Sequence, residues 1–257
     1  MAEAPYRLDV ITLTPDIWPI LTSEASGLVG RAFLDGTVQC QVTHLRDYGK
    51  GVHRQVDDTP FGGGPGMLIS PVPTRAALDD VRRYNEGPVV MLSPRGERFT
   101  QSIANELAAK PGVIFLCGRY EGFDERVRME VDYDLSIGDF VLSGGDPAAW
   151  CMADAIIRRL PRVLGNEESI VDESFANQTL EYPQFTRPAS FDGHDVPEIL
   201  RSGNHRKIAE WRSAQAEALT KLYRPDLISG QNAEPELKDL DGRQWREGTD
   251  HPKASVD

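Results

Sequence analysis

Short apolar runs alternate with segments of helical period through much of the chain, and that alternation leaves few architectures open. Residues 7–13, 38–45, 88–92 and 113–117 read as strands, and residues 73–84 and 100–110 between them read as helices. The first run ends at Thr14-Pro15, an N-cap residue followed by proline at the first helical position, so a helix is expected directly after the first strand. Strands alternating with helices predict an α/β fold: a parallel sheet with helices on both faces. A further helix is expected over residues 148–160. Residues 204–223 show the clearest helical period of all, with Ile208, Trp211, Ala218, Leu219 and Leu222 assigned to one face.

A chain of 257 residues can bury one good core and a small second one. No stretch approaches the roughly 18 apolar residues of a membrane span, and Glu3 and Asp9 stand where a signal peptide needs a basic start and an apolar core. The expectation is a cytoplasmic protein with no membrane partner. Cys40, Cys117 and Cys151 lie far apart without a C-x-x-C pair, which argues against a disulfide framework and a structural zinc site; they read as buried apolar residues.

The net charge of −12 opposes nucleic-acid binding unless charge is segregated, because phosphate contacts need Lys and Arg. Residues 201–224 hold six bases against two acids, with His205 beside them, so segregation is expected there. Residues 231–257 hold seven acids and four bases and read as a solvated end.

The chain has neither G-x-G-x-x-G nor G-x-x-x-x-G-K-[ST], so an ordinary Rossmann or P-loop site is not expected. Instead, glycine-bearing turns follow three strands: Leu92-Ser93-Pro94-Arg95-Gly96, Cys117-Gly118-Arg119-Tyr120-Glu121-Gly122, and residues 136–146. The carboxyl ends of parallel strands form the ligand crevice of such sheets, and glycines let backbone amides approach a small molecule closely. Two long irregular stretches, 46–66 and 136–146, also read as functional loops.

LSPRG, CGRYEGFDER and SIGDFVLSGGD, in this order, closely resemble the bacterial tRNA (guanine-N1)-methyltransferase family of the SPOUT superfamily. The resemblance begins at ITLTPDIW and runs through GLVGRA, VDDTPFGGGPGM, DAIIRRLPRVLG, YPQFTRP, VPEILRSGNHRKIAEWR and LYRPDL, leaving out little besides the acidic tail. It implies a deep C-terminal trefoil knot in the parallel sheet, and a small, mainly helical C-terminal domain. The implied domains are a catalytic domain that binds S-adenosylmethionine (1–164), a linker (165–176), and a tRNA-binding domain with the acidic tail (177–257). It further implies methyl transfer to N1 of guanosine 37, just 3′ of the anticodon. The implied partners are a tRNA anticodon stem-loop and a second copy of the chain, the active site being shared between the subunits of a homodimer.

Carried over by motif, the cofactor-binding positions are Leu92, Ser93, Pro94, Gly118, Tyr120, Glu121, Ser136, Ile137, Gly138, Phe140, Leu142, Gly144 and Gly145. Phe140 stands where relatives often carry tyrosine, and Pro147-Ala148 replaces their Leu-Pro. Guanine N1 must lose a proton, which calls for a carboxylate, and charge then builds on O6, which calls for a cation. The resemblance assigns the cation to Arg158. It places the base at a triplet that here reads Glu173-Ser174-Phe175 instead of Asp-Ser-Phe, so Glu173 is preferred and Asp172 is the alternative.

The expected tRNA contacts are Asp57, Asp58, Gly63, Arg187, His205, Arg206 and Arg212, and the target base is expected to flip out of its stack. Some relatives need magnesium, but no acidic spacing here establishes a metal site. Two competing readings are another SPOUT RNA methyltransferase, which lacks the GGGPGM loop, and an RNA-binding relative without catalysis, which turnover would exclude.

Overall fold

A computed structural model describes residues 4–164 and 173–229. Two units, 1–167 and 168–257, divide the chain. In the first, β1 (Tyr6–Thr12) leads through a 3-10 turn to α1 (Trp18–Leu21) and α2 (Leu28–Leu34), and then to β2 (Val38–His44). The short β3 (Asp57–Asp58) and β4 (Leu68–Ile69) precede α3 (Pro71–Val81), β5 (Val89–Arg98), α4 (Gln101–Ala108), β6 (Gly112–Leu116), β7 (Tyr133–Ser136) and α5 (Asp146–Ile157).

The main sheet has the order β2-β1-β6-β5-β7, and every neighbouring pair is parallel. All five residues of β6 are buried, as expected of a strand covered on both faces. Its side chains alternate between two cores. Val113 and Phe115 join Leu8, Val10, Trp18, Ile103, Leu107, Met152 and Ile156 on one face, the side of α4 and α5. Ile114 and Leu116 join Ile11, Leu45, Leu78, Val81 and Val127 on the other, the side of α3. Full burial of each such side chain stabilises the fold by about 1.5–3 kcal/mol before entropy is counted.

Local chemistry sets the helix starts: proline opens the first turn of α3, and the Thr100 side chain caps α4 by accepting the Ile103 N–H at 3.4 Å.

The structure departs from the sequence expectations in several places. Residues 92–96, expected as a turn, lie within β5, whose pairing with β7 shifts register between Leu92 and Glu97, and Cys40, expected to be buried, is half-buried. β7 lies outside the four apolar runs because it is short and carries Asp134 within it. The stretch 46–66 is less irregular than its composition implies, holding part of a 3-10 turn (Leu45–Tyr48) and the β3 half of a small hairpin with β4. Cys151 is exposed on α5, not buried, because its neighbour Met152 takes the core-facing position. Cys117 is fully buried, and that burial pushes its thiol well above the ordinary range.

In the second unit an antiparallel pair, β8 (Ser190–Phe191) and β9 (His194–Asp195), precedes α6 (Glu198–Arg201), α7 (His205–Tyr223) and α8 (Asp226–Ser229). Ile208, Trp211, Leu219 and Leu222 of α7 are half-buried, whereas Ala218 is exposed, so the packed stripe passes through Gln215 instead of Ala218. Thr220 is fully buried, its hydroxyl accepting the Leu180 N–H at 2.8 Å and donating to the Ala216 carbonyl at 2.6 Å. Most of the expected linker (165–172) and all of the acidic tail (231–257) lie outside the described residues.

Candidate active site

Because β6 and β7 run parallel to β5 on either side of it, the loops that follow β6 and β7 emerge at one edge of the sheet, beside the stretch of β5 where the pairing with β7 shifts register between Leu92 and Glu97. The second and third loops are hydrogen-bonded to each other: the Gly145 N–H donates to the Gly118 carbonyl at 2.8 Å, and Arg119 and Gly144 form an isolated antiparallel bridge. This approach needs glycine at 145, since a Cβ there would stand 3.1 Å from both Cys117 Cα and Gly118 N. In the third loop the Phe140 N–H returns to the Gly138 carbonyl at 3.0 Å, and the Ser136 hydroxyl donates to the same oxygen at 3.0 Å. Tyr120 holds φ of +59°, an unusual conformation for so bulky a residue, within a turn closed by Gly122 N–H donating to the Arg119 carbonyl at 3.0 Å.

These loops enclose a cleft of about 360 Å³, within the range of roughly 300–1,000 Å³ typical of small-molecule sites. Every one of the positions from Leu92 to Gly145 singled out by motif lines it: Leu92, Ser93 and Pro94 from the irregular stretch of β5, Gly118, Tyr120 and Glu121 from the second motif, and Ser136, Ile137, Gly138, Phe140, Leu142, Gly144 and Gly145 from the third. Arg95, Arg119, Asp124, Glu125 and Arg128 line it as well. Sequence reasoning missed these charges as a group, although all but Arg128 stand inside the motifs; their convergence depends on the turns. The Arg95 guanidinium, hydrogen-bonded to Glu125 at 2.8 Å, holds that carboxyl below the usual carboxylate range. The Arg126 side chain does the same for Asp124.

The segment carrying Asp57, Asp58 and Gly63 adjoins the cleft. The Glu121 N–H donates to the Met67 carbonyl at 3.1 Å, the Ile69 N–H to the Gly122 carbonyl at 2.9 Å, and the Asp124 N–H to the Ile69 carbonyl at 2.9 Å, so β4 is stitched along the second loop. Gly66 has φ of +83°, and a side chain there would collide with that of Glu121. Asp58 and Gly63 are exposed, as is Phe61 at the tip.

Arg158 is not brought to this cleft. It caps the C-terminal end of α5, whose first turn borders the cleft through Ala148, and twelve residues at about 1.5 Å each separate it from Asp146 by roughly 18 Å. Glu173 belongs to the second unit, half-buried at the start of a turn in which the Ala176 N–H donates to its carbonyl at 3.1 Å. Asp172 lies outside the described residues.

Arg187, His205, Arg206 and Arg212 are all exposed in the second unit. His205 opens α7 behind the Asn204 cap, Arg206 lies 3.8 Å from Glu210, and Arg212 stacks 4.8 Å from the Tyr182 ring centroid. Lys221 is paired with Glu217 and Arg224 with Asp226, so part of the local positive charge is already neutralised. Among the described residues no group of three or more His, Cys, Asp or Glu converges as a metal site would require, and no helix is long and apolar enough to cross a membrane.

A parallel sheet with two glycine loops hydrogen-bonded to each other, and a cleft of small-molecule size between them and β5, defines an α/β protein with a candidate ligand site at the strand ends. Comparison with known proteins shows its family. The family model described as "tRNA (Guanine-1)-methyltransferase TrmD" matches residues 6–230. Proteins named tRNA (guanine-N(1)-)-methyltransferase are 47% identical in Clostridium beijerinckii, covering 86% of this chain and 91% of that one, and 48% identical in Roseobacter denitrificans, covering 89% and 95%. One from Lactobacillus johnsonii is 43% identical over 94% of this chain and 97% of its own. The chain belongs to the tRNA (guanine-1)-methyltransferase family.

Proposed function

We propose that the protein methylates N1 of the guanosine at position 37, just 3′ of the anticodon, using S-adenosylmethionine held in the cleft at the ends of β5, β6 and β7. Family membership makes it a tRNA guanine-N1 methyltransferase. The observation that carries the cofactor and its place is the cleft itself. Its glycines keep side chains out of the loop contacts, its apolar members Leu92, Pro94, Ile137 and Leu142 suit a purine, and Phe140 offers a stacking face.

Bound there, the cofactor supplies an electrophilic methyl group on a sulfonium centre. The backbone at Leu92–Pro94, Gly118 and Ser136–Gly138 holds the adenine and ribose, and Tyr120, Glu121, Leu142, Gly144 and Gly145 close the remaining sides. The carboxylate of Glu173, or of Asp172, takes the N1 proton, an effect worth roughly 10²–10⁴ in rate. Arg158 faces the O6 on which charge develops.

Arg158 sits far along α5 from the cleft of its own chain, so the reading includes a homodimer whose active site is shared between subunits. It also includes the trefoil knot in the 1–164 domain, a linker over 165–176, and a tRNA-binding domain from 177 onward that presents Arg187, His205, Arg206 and Arg212 to the anticodon stem-loop, with Asp57, Asp58 and Gly63 on the base side. The setting is the cytoplasm.

The test is transfer of radiolabelled methyl from S-adenosylmethionine to paired tRNA transcripts that differ only in guanosine or adenosine just 3′ of the anticodon. Label on the guanosine transcript alone is the expected result; label on both, or on neither, would reject the assigned target.

A further inference from the structure

The cleft holds three arginines, and two of them are committed. Arg95 Nη2 donates to Glu125 Oε2 at 2.8 Å at the exposed rim. Arg128 is paired with Asp134, and its Nε faces Glu125 Oε1 at 3.0 Å, off the line of a good hydrogen bond. Arg119 differs. Among the described residues it makes no ion pair, and its Nε is buried from solvent with no acceptor in reach. A guanidinium N–H shut away from water without an acceptor is costly, and a ligand oxygen placed there removes the cost.

The backbone fixes where that nitrogen lies. Arg119 is bridged to Gly144 across the two loops, and its stem lies over that glycine: a Cβ at 144 would stand 3.2 Å from Arg119 Cγ and 3.4 Å from Nε. The group therefore lies between the second and third loops, inside the small-molecule cleft. The same wall carries Glu121, Asp124 and Glu125. Those acids suit a sulfonium or an ammonium, but they repel a carboxylate, so a zwitterionic amino-acid tail needs a cation among them. Guanidinium is the side chain whose geometry matches a carboxylate.

We propose that Arg119 binds the α-carboxylate of the cofactor's amino-acid tail, using the Nε edge that the protein itself leaves without an acceptor. This rests on the reading of the cleft as the S-adenosylmethionine site. A tRNA phosphate would offer similar oxygens, but the position of Nε behind Gly144 favours the small molecule.

The experiment is calorimetric binding of S-adenosylmethionine and of decarboxylated S-adenosylmethionine, which differ only in the carboxylate, to the full-length protein and to Arg119→Gln and Arg119→Lys, with thermal unfolding to confirm that each variant is folded. The wild type should prefer the carboxylated ligand. Arg119→Gln should weaken it by about tenfold or more while leaving the decarboxylated one within about twofold, and Arg119→Lys should fall between. Equal losses for both ligands would make Arg119 structural and overturn the assignment. So would unchanged binding of both ligands with weakened binding of a tRNA transcript, which would move the anion to the RNA. If the wild type binds neither ligand, the cofactor reading itself fails, and this proposal with it.

Discussion

The indole N–H of Trp18 donates to Oδ1 of Asp146 at 2.8 Å, at a point where neither residue exceeds 1% exposure. Thr12 donates to the same oxygen at 2.6 Å and Thr14 to Oδ2 at 3.0 Å. Asp146 is the first residue of α5, directly after Gly145, so one buried carboxyl ties the end of the third cleft loop to the corner that follows β1. Removing it in Asp146→Ala strands those donors and should cost roughly 2–5 kcal/mol in urea unfolding. Trp18→Phe removes one donor and keeps most of the ring, so about 1–2 kcal/mol is expected. A smaller loss for Asp146→Ala than for Trp18→Phe would mean that this convergence does not hold the loop.

Gly36 and Gly66 share a left-handed backbone, φ of +80° and +83°, but not a neighbourhood. Nothing lies within 4 Å of a Cβ at Gly36, whereas one at Gly66 meets the Glu121 side chain. Alanine at either should cost about 1 kcal/mol of stability from backbone strain. Only Gly66→Ala should also displace Glu121 and lower methylation, by about tenfold or more. Equal activity in the two variants would show that Glu121 tolerates the shift.

Arg158→Ala should leave S-adenosylmethionine binding intact, because Arg158 does not line the cleft, and should reduce methylation by about 10²–10³. Turnover at the wild-type level would sink its assignment to the reacting base.

For the base, Glu173→Gln and Asp172→Asn are compared in single-turnover transfer. The expected loss is about 10²–10⁴ for the first and little for the second. The reverse order would move the role to Asp172, and equal mild losses would remove both.

The cysteines offer a chemical check on the fold. Burial holds Cys117 well above the ordinary thiol range and pushes Cys40 up to about 12, whereas Cys151 is exposed. Thiolate is the reactive form, so a raised pKa lowers reactivity at every pH below it. Iodoacetamide near pH 8 should label Cys151 in the native protein and reach Cys40 and Cys117 only on unfolding, as read by peptide mass spectrometry. Native labelling of Cys117 would contradict its place in the core.

Much of this protein was legible in its sequence because periodicity and turn chemistry are local. The runs that became β1, β2 and β6, the Thr14-Pro15 corner and the glycine turns after β6 and β7 all depend on neighbours a few residues away. The motif positions line one cleft because β5, β6 and β7 are parallel and run to one edge, an arrangement that the alternation of strands and helices already implies. What only the tertiary structure decided are contacts between distant segments. A pattern records that a face is buried without recording against what, which is why β7, the exposure of Cys151 and the place of Ala218 on α7 escaped it. Asp146 meets Trp18 across 128 residues, and the Nε of Arg119 is closed off from solvent beside Gly144 on another loop. Burial and hydrogen-bond partnership are properties of the packed chain, fixed by which surfaces exclude water together.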